Sequence, residues 1–305
     1  MGSSGDARMG CDRPMIADIL VAGLVFGSLY GLVAVGFNVL HRPTNVVNFA
    51  QGELIMIGAM LMAATPIGGL PWGVAAACVM AIVAVVALVE ERVAVTPVLR
   101  RSSHAVGWVI TTLAFSLLLA EAAGRLWTDQ PSTVVPPWPL SMRVQEVLGV
   151  RFSSYQVAVV IVAVAVVALL GVLDRSRLGT ALRAVAADRD GARLRGVDPT
   201  ALTRRSFLLG GALAGLTGVL AAPLLLASVT MGLGLLIKGF AALAVGGIGD
   251  NRGVLVAGWM LGVIEAAGAV FASPGSQSVV LFAAMLLILL IRPNGLRGLA
   301  VQRHV

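Results

Sequence analysis

DRSRLGTALRAVAADRDGARLRGVDPTALTRR, residues 174–205, is a polar island in a chain of otherwise near-continuous apolar sequence. Eight arginines (175, 177, 183, 189, 193, 195, 204 and 205) stand among four aspartates (174, 188, 190 and 198). The apolar runs on either side, 155–173 and 206–229, are each long enough to cross a bilayer, which takes about 20 helical residues. A cationic connector this short between two spans is predicted to face the cytoplasm, because basic residues in short loops are retained on that side. Leu178, Ala181, Leu182, Val185 and Ala186 recur at helical spacing with Arg and Asp between them, which predicts a short amphipathic helix. Asp198-Pro199 predicts the start of a second helical piece, with Asp198 as N-cap and Pro199 in the first turn. Two readings follow. The island is a topogenic loop that only orients its neighbours, or it is a helix under the membrane built to meet a partner protein or the lipid surface.

Composition sets the class. Hydrophobic residues make up 58% of the chain and charged residues 12%, with mean hydropathy +0.94; a soluble domain would carry about twice that charge. The apolar runs do not alternate as barrel strands do. The chain is therefore predicted to be all-α, a polytopic transmembrane helical bundle. Its net charge of +7 sits in inter-span loops and the C-terminal end, as membrane orientation requires, and does not point to nucleic acid. Cys11 and Cys78 form no CxxC or Cys/His cluster, and His41, His104 and His304 are scattered, so neither a metal site nor a disulfide is expected. Residues 1–15 read as a flexible tail, 16–300 as one transmembrane domain and 301–305 as a C-terminal tail. The first apolar run is too long, and its exit too poor in small residues, for a cleavable leader.

Nine segments can be laid along the chain: 16–40, 41–64, 72–89, 105–124, 155–173, 206–229, 232–248, 253–272 and 278–291. Gly23, Gly27, Gly31 and Gly36 put small residues on one face of the first, and Gly210, Ala214 and Gly218 do so after the island; such stripes let helices approach closely. Pro223 is placed to kink that later span. PIGGLP at 66–71 predicts a turn, and the PPWP run at 136–139 keeps 125–154 from being helical. The tryptophans of that stretch, Trp127 and Trp138, suit a membrane interface. Counting from the island places the N-terminus outside and the C-terminus in the cytoplasm. Were 232–248 re-entrant, eight segments would span.

Three polar features interrupt the apolar sequence. Asn45, Asn48, Gln51 and Glu53 cluster at a helix start, either as interface chemistry complementing the helix dipole or as the lining of an aqueous path. Lys238 lies within an apolar segment and needs a partner; Glu53, Glu121 and Glu265 are the candidates. Gly246, Gly247 and Gly249 read either as a tight turn into the next helix or as a break whose freed backbone groups bind polar cargo.

VVNFAQGELIMIGAM resembles the NFAxGE motif of the H-type permease subunit of branched-chain amino-acid ABC importers, with Gln51 where that family usually has His. Gly179, Arg183-Ala184, Asp188, Ala192 and Gly196-Val197 resemble that family's cytoplasmic coupling loop, although Gly191-Ala192 stands for its Ala-Ala pair. KGFAALAVGGIGDNRG resembles its Lys-Phe to GGxG stretch, with Asp250 in place of a small polar residue. These occur in the family's order over about 16–300.

The resemblance implies a permease subunit of the cytoplasmic (inner) membrane. Gly179, Arg183, Ala184, Asp188, Ala192, Gly196 and Val197 would couple it to the ATPase, and Asn45, Asn48, Gln51, Glu53, Lys238, Gly246 and Gly247 would line the substrate pathway. It further implies two cytoplasmic ATPase subunits, a second permease (an M-type subunit or a second copy of this chain) and an extracytoplasmic substrate-binding protein. The chain has no GxxxxGK[ST] loop, so it is expected to bind no cofactor, leave ATP to its partners, and be no enzyme. A urea or short-chain amide importer of the same superfamily, an ATP-independent channel or secondary transporter, and a membrane-embedded enzyme are the alternatives.

Overall fold

The structure, a computed structural model, describes residues 6–64, 71–101, 105–127, 130–137, 139–147, 149–271, 275–292 and 295–296. The expected turn at 66–71 (apart from Pro71), His104, Trp138, Pro293, Asn294, Arg297 and the tail 301–305 with His304 lie outside them. The described residues are mostly helical, as the composition predicts. Among the described residues, six helices are long and apolar enough to cross a membrane: α1 (Asp6–Thr44), α3 (Trp72–Glu90), α5 (Ala105–Leu126), α6 (Ser154–Asp174), α9 (Pro199–Leu225) and α11 (Asn251–Phe271). Three shorter apolar helices join them: α2 (Gln51–Ala64), α10 (Met231–Gly246) and α12 (Gln277–Ile291). At 1.5 Å per residue these three measure roughly 21–24 Å, short of the ~30 Å hydrocarbon layer. The island forms α7 (Arg177–Ala187) and α8 (Arg189–Leu194), and α4 (Thr96–Arg101) follows a π-helical turn, Glu91–Val95. α1 begins within the stretch read as a tail.

Helices α1, α2, α9, α10 and α11 form the centre. Apolar side chains cover α2 on every side, so it is buried all round. On α1, Gly23, Gly27 and Gly31 face α11, where Gly258 and Gly262 answer them; a Cβ on Gly258 would lie 2.7 Å from the Gly31 nitrogen. Three of the four glycines of the stripe thus form half of a two-sided backbone contact, and the fourth, Gly36, faces the Gln51 side chain of α2 instead. Gly210 and Gly218 of α9 meet Leu40 and the α2 backbone, while Gly211 and Gly215 form a second face against α3.

Outward-facing residues such as Leu117, Leu118, Ile161, Leu169 and Leu290 stay exposed, a surface suited to lipid and unsuited to water. Pro223 sits inside α9 and cannot donate to the carbonyl four residues back. The buried Tyr155 hydroxyl reaches across from α6 and donates to the Leu220 carbonyl at 3.0 Å, with the Val219 carbonyl at 3.5 Å.

The described residues of 130–153 are non-helical, as the prolines require. They hold a small antiparallel hairpin, β1 (Gln145–Val147) with β2 (Val150–Phe152). Ser132 bridges to Ala227 between α9 and α10, with backbone bonds of 2.8 and 2.9 Å. Ser153 then caps α6 reciprocally with Gln156.

Candidate functional site

Polar side chains gather at three places. The first is the junction of α1 and α2. α1 stops at Thr44, Asn45 turns the chain with φ 56, and α2 restarts at Gln51. Asn48 fixes this turn by accepting from the Ala50 N–H at 2.9 Å. Its amide also donates to Glu90 at 3.1 Å. Asn48, Gln51 and Glu53 are buried, whereas Asn45 is exposed. Among the described residues, neither amide atom of Gln51 nor Oε2 of Glu53 has a hydrogen-bond partner.

Glu90 and Glu91, at the end of α3, are fully buried beside this junction. Thr96 donates to Glu91, and Arg204 lies 3.9 Å from it. Paired acids at a span end look like solvated interface groups; only the packing of α3 against α9 reveals otherwise. Glu121 pairs with Arg125 on an exposed face and has no part in this cluster. Glu53→Gln is expected to lower uptake about tenfold, and Glu121→Gln less than about twofold, because exposed pairs contribute little. Radiolabelled uptake in reconstituted vesicles checks this; equal losses would remove Glu53 from the path.

The second place is the middle of the bundle. Of the three candidate partners for Lys238, the structure selects Glu265 of α11: Nζ lies 2.5 Å from its Oε1. The Tyr30 hydroxyl of α1 donates to the other carboxylate oxygen at 2.7 Å, and Nζ donates to that hydroxyl at 3.2 Å. Nζ also stands 5.3 Å from the centre of the Tyr30 ring, within cation–π range. A cavity of about 710 Å³ ends on this group. Its lining runs from Met15, Asp18, Arg151 and Gln277 at one end of the bundle to Tyr30, Lys238 and Glu265. Arg151 pairs with Asp18 at that mouth, which holds the guanidinium above its ordinary pKa. Gly246 closes α10, and Gly247 and Gly249 take φ values of 97 and 95. The glycine cluster is thus a tight turn between α10 and α11.

The third place is the island, at the opposite end of α1. Leu182, Val185, Ala192 and Leu202 make a small core of their own, with Leu178, Ala181 and Val197 packed on it. Ala186, expected on that apolar face, is exposed. Asp198 caps α9, with Pro199 at its start, as the sequence predicts. The Ala201 and Thr200 backbone N–H groups hold the Asp198 carboxyl below the usual range. Asp188 caps α8. Gly179 leaves no room for a Cβ beside the Asp174 backbone, and Gly196 turns the chain at φ 82. Gly179 and Ala192 are buried, while Arg183, Ala184 and Asp188 remain on the outer face.

The island is tied to the bundle. Arg183 donates to the Asp174 carbonyl at 2.6 Å. The Asp174 carboxylate binds Arg42 of α1, with one N–O distance of 3.0 Å. Arg42 also donates to the Gly249 carbonyl at 3.0 Å, and the Gly249 N–H donates to Asn38 at 2.8 Å. No local sequence pattern marks Arg42, Asn38 or Asp174, because their partners are far away along the chain.

Helices long and apolar enough to cross a membrane, an ion pair at the foot of a cavity and a separately packed arginine-rich loop are the features of a multi-pass helical membrane protein. The chain belongs to the family described as branched-chain amino acid transport system / permease component, whose model matches residues 19–290. It is 32% identical over 294 residues to the high-affinity branched-chain amino acid transport system permease protein BraD of Pseudomonas aeruginosa, covering 92% of this chain and 94% of the relative. It is also 32% identical over 291 residues to the permease protein LivH of Escherichia coli K12, covering 90% and 93%. The probable LivH of Methanocaldococcus jannaschii is 27% identical over 293 residues, covering 92% of each. No solved structure matches the chain.

Proposed function

We propose that this chain is a membrane-spanning subunit of an ATP-driven ABC importer for branched-chain amino acids, seated in the cytoplasmic membrane. The observation that carries the reading is the family match across nearly the whole bundle, joined by relatives named as permease proteins for those amino acids. The six long helices and the three short ones together give nine segments across or within the bilayer. With the island cytoplasmic, nine crossings would put the N-terminus outside and the C-terminus in the cytoplasm. The arginine content of 174–205 supports that orientation.

The outer face of α7 and α8, carrying Arg183, Ala184 and Asp188, would meet two ATPase subunits. Gly179, Ala192, Gly196 and Val197 would shape that face from beneath. A second permease, of M type or a second copy, and an external binding protein complete the assembly. ATP is hydrolysed by the partners, and this chain binds no cofactor. Asn48, Gln51, Glu53 and Lys238 line the path, with Asn45 at its edge and Gly246-Gly247 allowing α10 to turn sharply.

The assembled transporter in proteoliposomes is expected to accumulate L-leucine only when both ATP and the binding protein are supplied. Equal uptake without ATP would overturn the reading in favour of a channel.

A further inference from the structure

We propose that the cavity ending on Tyr30, Lys238 and Glu265 is a binding site for a free amino acid, whose two charged groups displace the Lys238–Glu265 bridge. The inference rests on the importer reading above and assigns it a cargo site. The cavity volume, about 710 Å³, falls in the range of small-molecule sites, about 300–1,000 Å³. Its mouth lies by Asp18 and its floor by Tyr30, twelve residues further along α1, or roughly 18 Å deeper at the helical rise. Under the proposed orientation the mouth opens outward, where a binding protein delivers cargo.

The chemistry of the floor selects the ligand. Lys238 has three N–H donors, and among the described residues two are taken, by Glu265 and Tyr30. The third is available to a carboxylate. Each Glu265 oxygen accepts one described hydrogen bond and keeps a lone pair for an ammonium. An anion or a cation alone would satisfy one member of the pair and leave the other unpaired in a partly buried site, at a cost. A zwitterion meets both at once and leaves the net charge of the site unchanged. Between mouth and floor, Ala22, Phe26, Ala266 and Ala269 give apolar walls for an aliphatic side chain. Tyr30, hydrogen-bonded to both charged groups, holds them in place when they part. Opening the bridge is therefore coupled to filling the site, and an empty site keeps its charges paired within the membrane.

The test uses the assembled transporter in proteoliposomes, with Cys11 and Cys78 changed to serine and Ala266→Cys as a reporter on the cavity wall. Millimolar L-leucine is expected to slow labelling of that cysteine by an impermeant thiol reagent applied from outside. Leucinamide and 4-methylpentanoate, each lacking one charge, are expected to protect at least about tenfold less effectively. Because Tyr30, Lys238 and Glu265 are intact in this arm, a folding defect at the pair cannot imitate the result. Equal protection by all three compounds, or by none, overturns the proposal.

In a second arm, Lys238→Met with Glu265→Met replaces the pair by apolar side chains, a change that buried pairs often tolerate. It is expected to insert normally yet lose both protection and about tenfold or more of leucine uptake. Wild-type uptake in the double variant overturns this site alone. Absence of leucine uptake by the unmodified transporter overturns the importer reading itself.

Discussion

Gly27→Leu is expected to prevent stable assembly of the bundle, while Gly124→Leu leaves it intact. Local helix propensity predicts the opposite sign, since leucine is favoured over glycine within a helix by about 1 kcal/mol. Tertiary packing overrides it. A Cβ on Gly27 would stand 2.5 Å from the Gly258 carbonyl oxygen and 2.7 Å from Trp259 Cα, both backbone atoms that no rotamer change can move. Relief requires α1 and α11 to separate, which also opens the neighbouring contacts at Gly23, Gly31 and Gly262. Overpacking a flexible core costs about 1–3 kcal/mol, and rigid backbone against backbone is expected to exceed that. At Gly124 a Cβ meets nothing within 4 Å. Thermal unfolding of the two variants in detergent measures the contrast. Indistinguishable midpoints would mean that α1 and α11 do not pack as described.

What could be read from the sequence divides along a physical line. Apolar content and loop charge are local quantities, so the apolar segments and the N-cap at Asp198 are legible; residue 205 marks no structural boundary, because α9 runs unbroken from Pro199 to Leu225. The α1 glycine stripe is legible too, because four-residue spacing is a property of one helix. Its complement on α11 went unread: Gly258 and Gly262 acquire meaning only once α11 is known to face α1. Lys238 shows the same limit. An ammonium in an apolar helix announces that it needs a partner, and Glu265 was among three candidates. Choosing it over Glu53 and Glu121 requires knowing that α10 and α11 fold back on one another beneath Tyr30. The burial of Glu90 and Glu91 is not legible, since acids at the end of an apolar run have the pattern of solvated groups whether or not another helix covers them. The glycine cluster at 246–249 left both a turn and a break open, because glycine weakens a helix in either case; the short link from α10 to α11, with Gly247 and Gly249 at positive φ, decides for the turn.

Arg183→Glu combined with Gly196→Pro is expected to abolish ATP-driven uptake while the chain still inserts. The two changes act on different parts of the proposed coupling surface. Arg183 stands on the outer face of α7 and ties it to the Asp174 carbonyl. From Asp174 the connection runs through Arg42 to the Gly249 carbonyl and on to Asn38. Reversing its charge removes that tie and inverts the sign offered to a docked ATPase. Gly196 closes the turn after α8 at φ 82 and donates its N–H to the Arg193 carbonyl at 2.9 Å. Proline has no N–H and holds φ near −65°, so it cannot occupy this turn.

The long helices are untouched by either change, and the island's small core is separate from theirs, so insertion is expected to persist. Coupling free energies between sites commonly amount to about 5- to 150-fold, and loss of both elements is expected to reach the upper part of that range. Gly196→Asn alone provides the contrast, because asparagine tolerates the left-handed conformation and should retain most transport. Leucine uptake and binding-protein-stimulated ATP hydrolysis, measured on the same proteoliposomes, separate the outcomes. Hydrolysis that continues without uptake locates the defect in transmission, and loss of ATPase co-purification locates it in docking. Wild-type uptake by the double variant would show that residues 174–205 only orient their neighbouring spans.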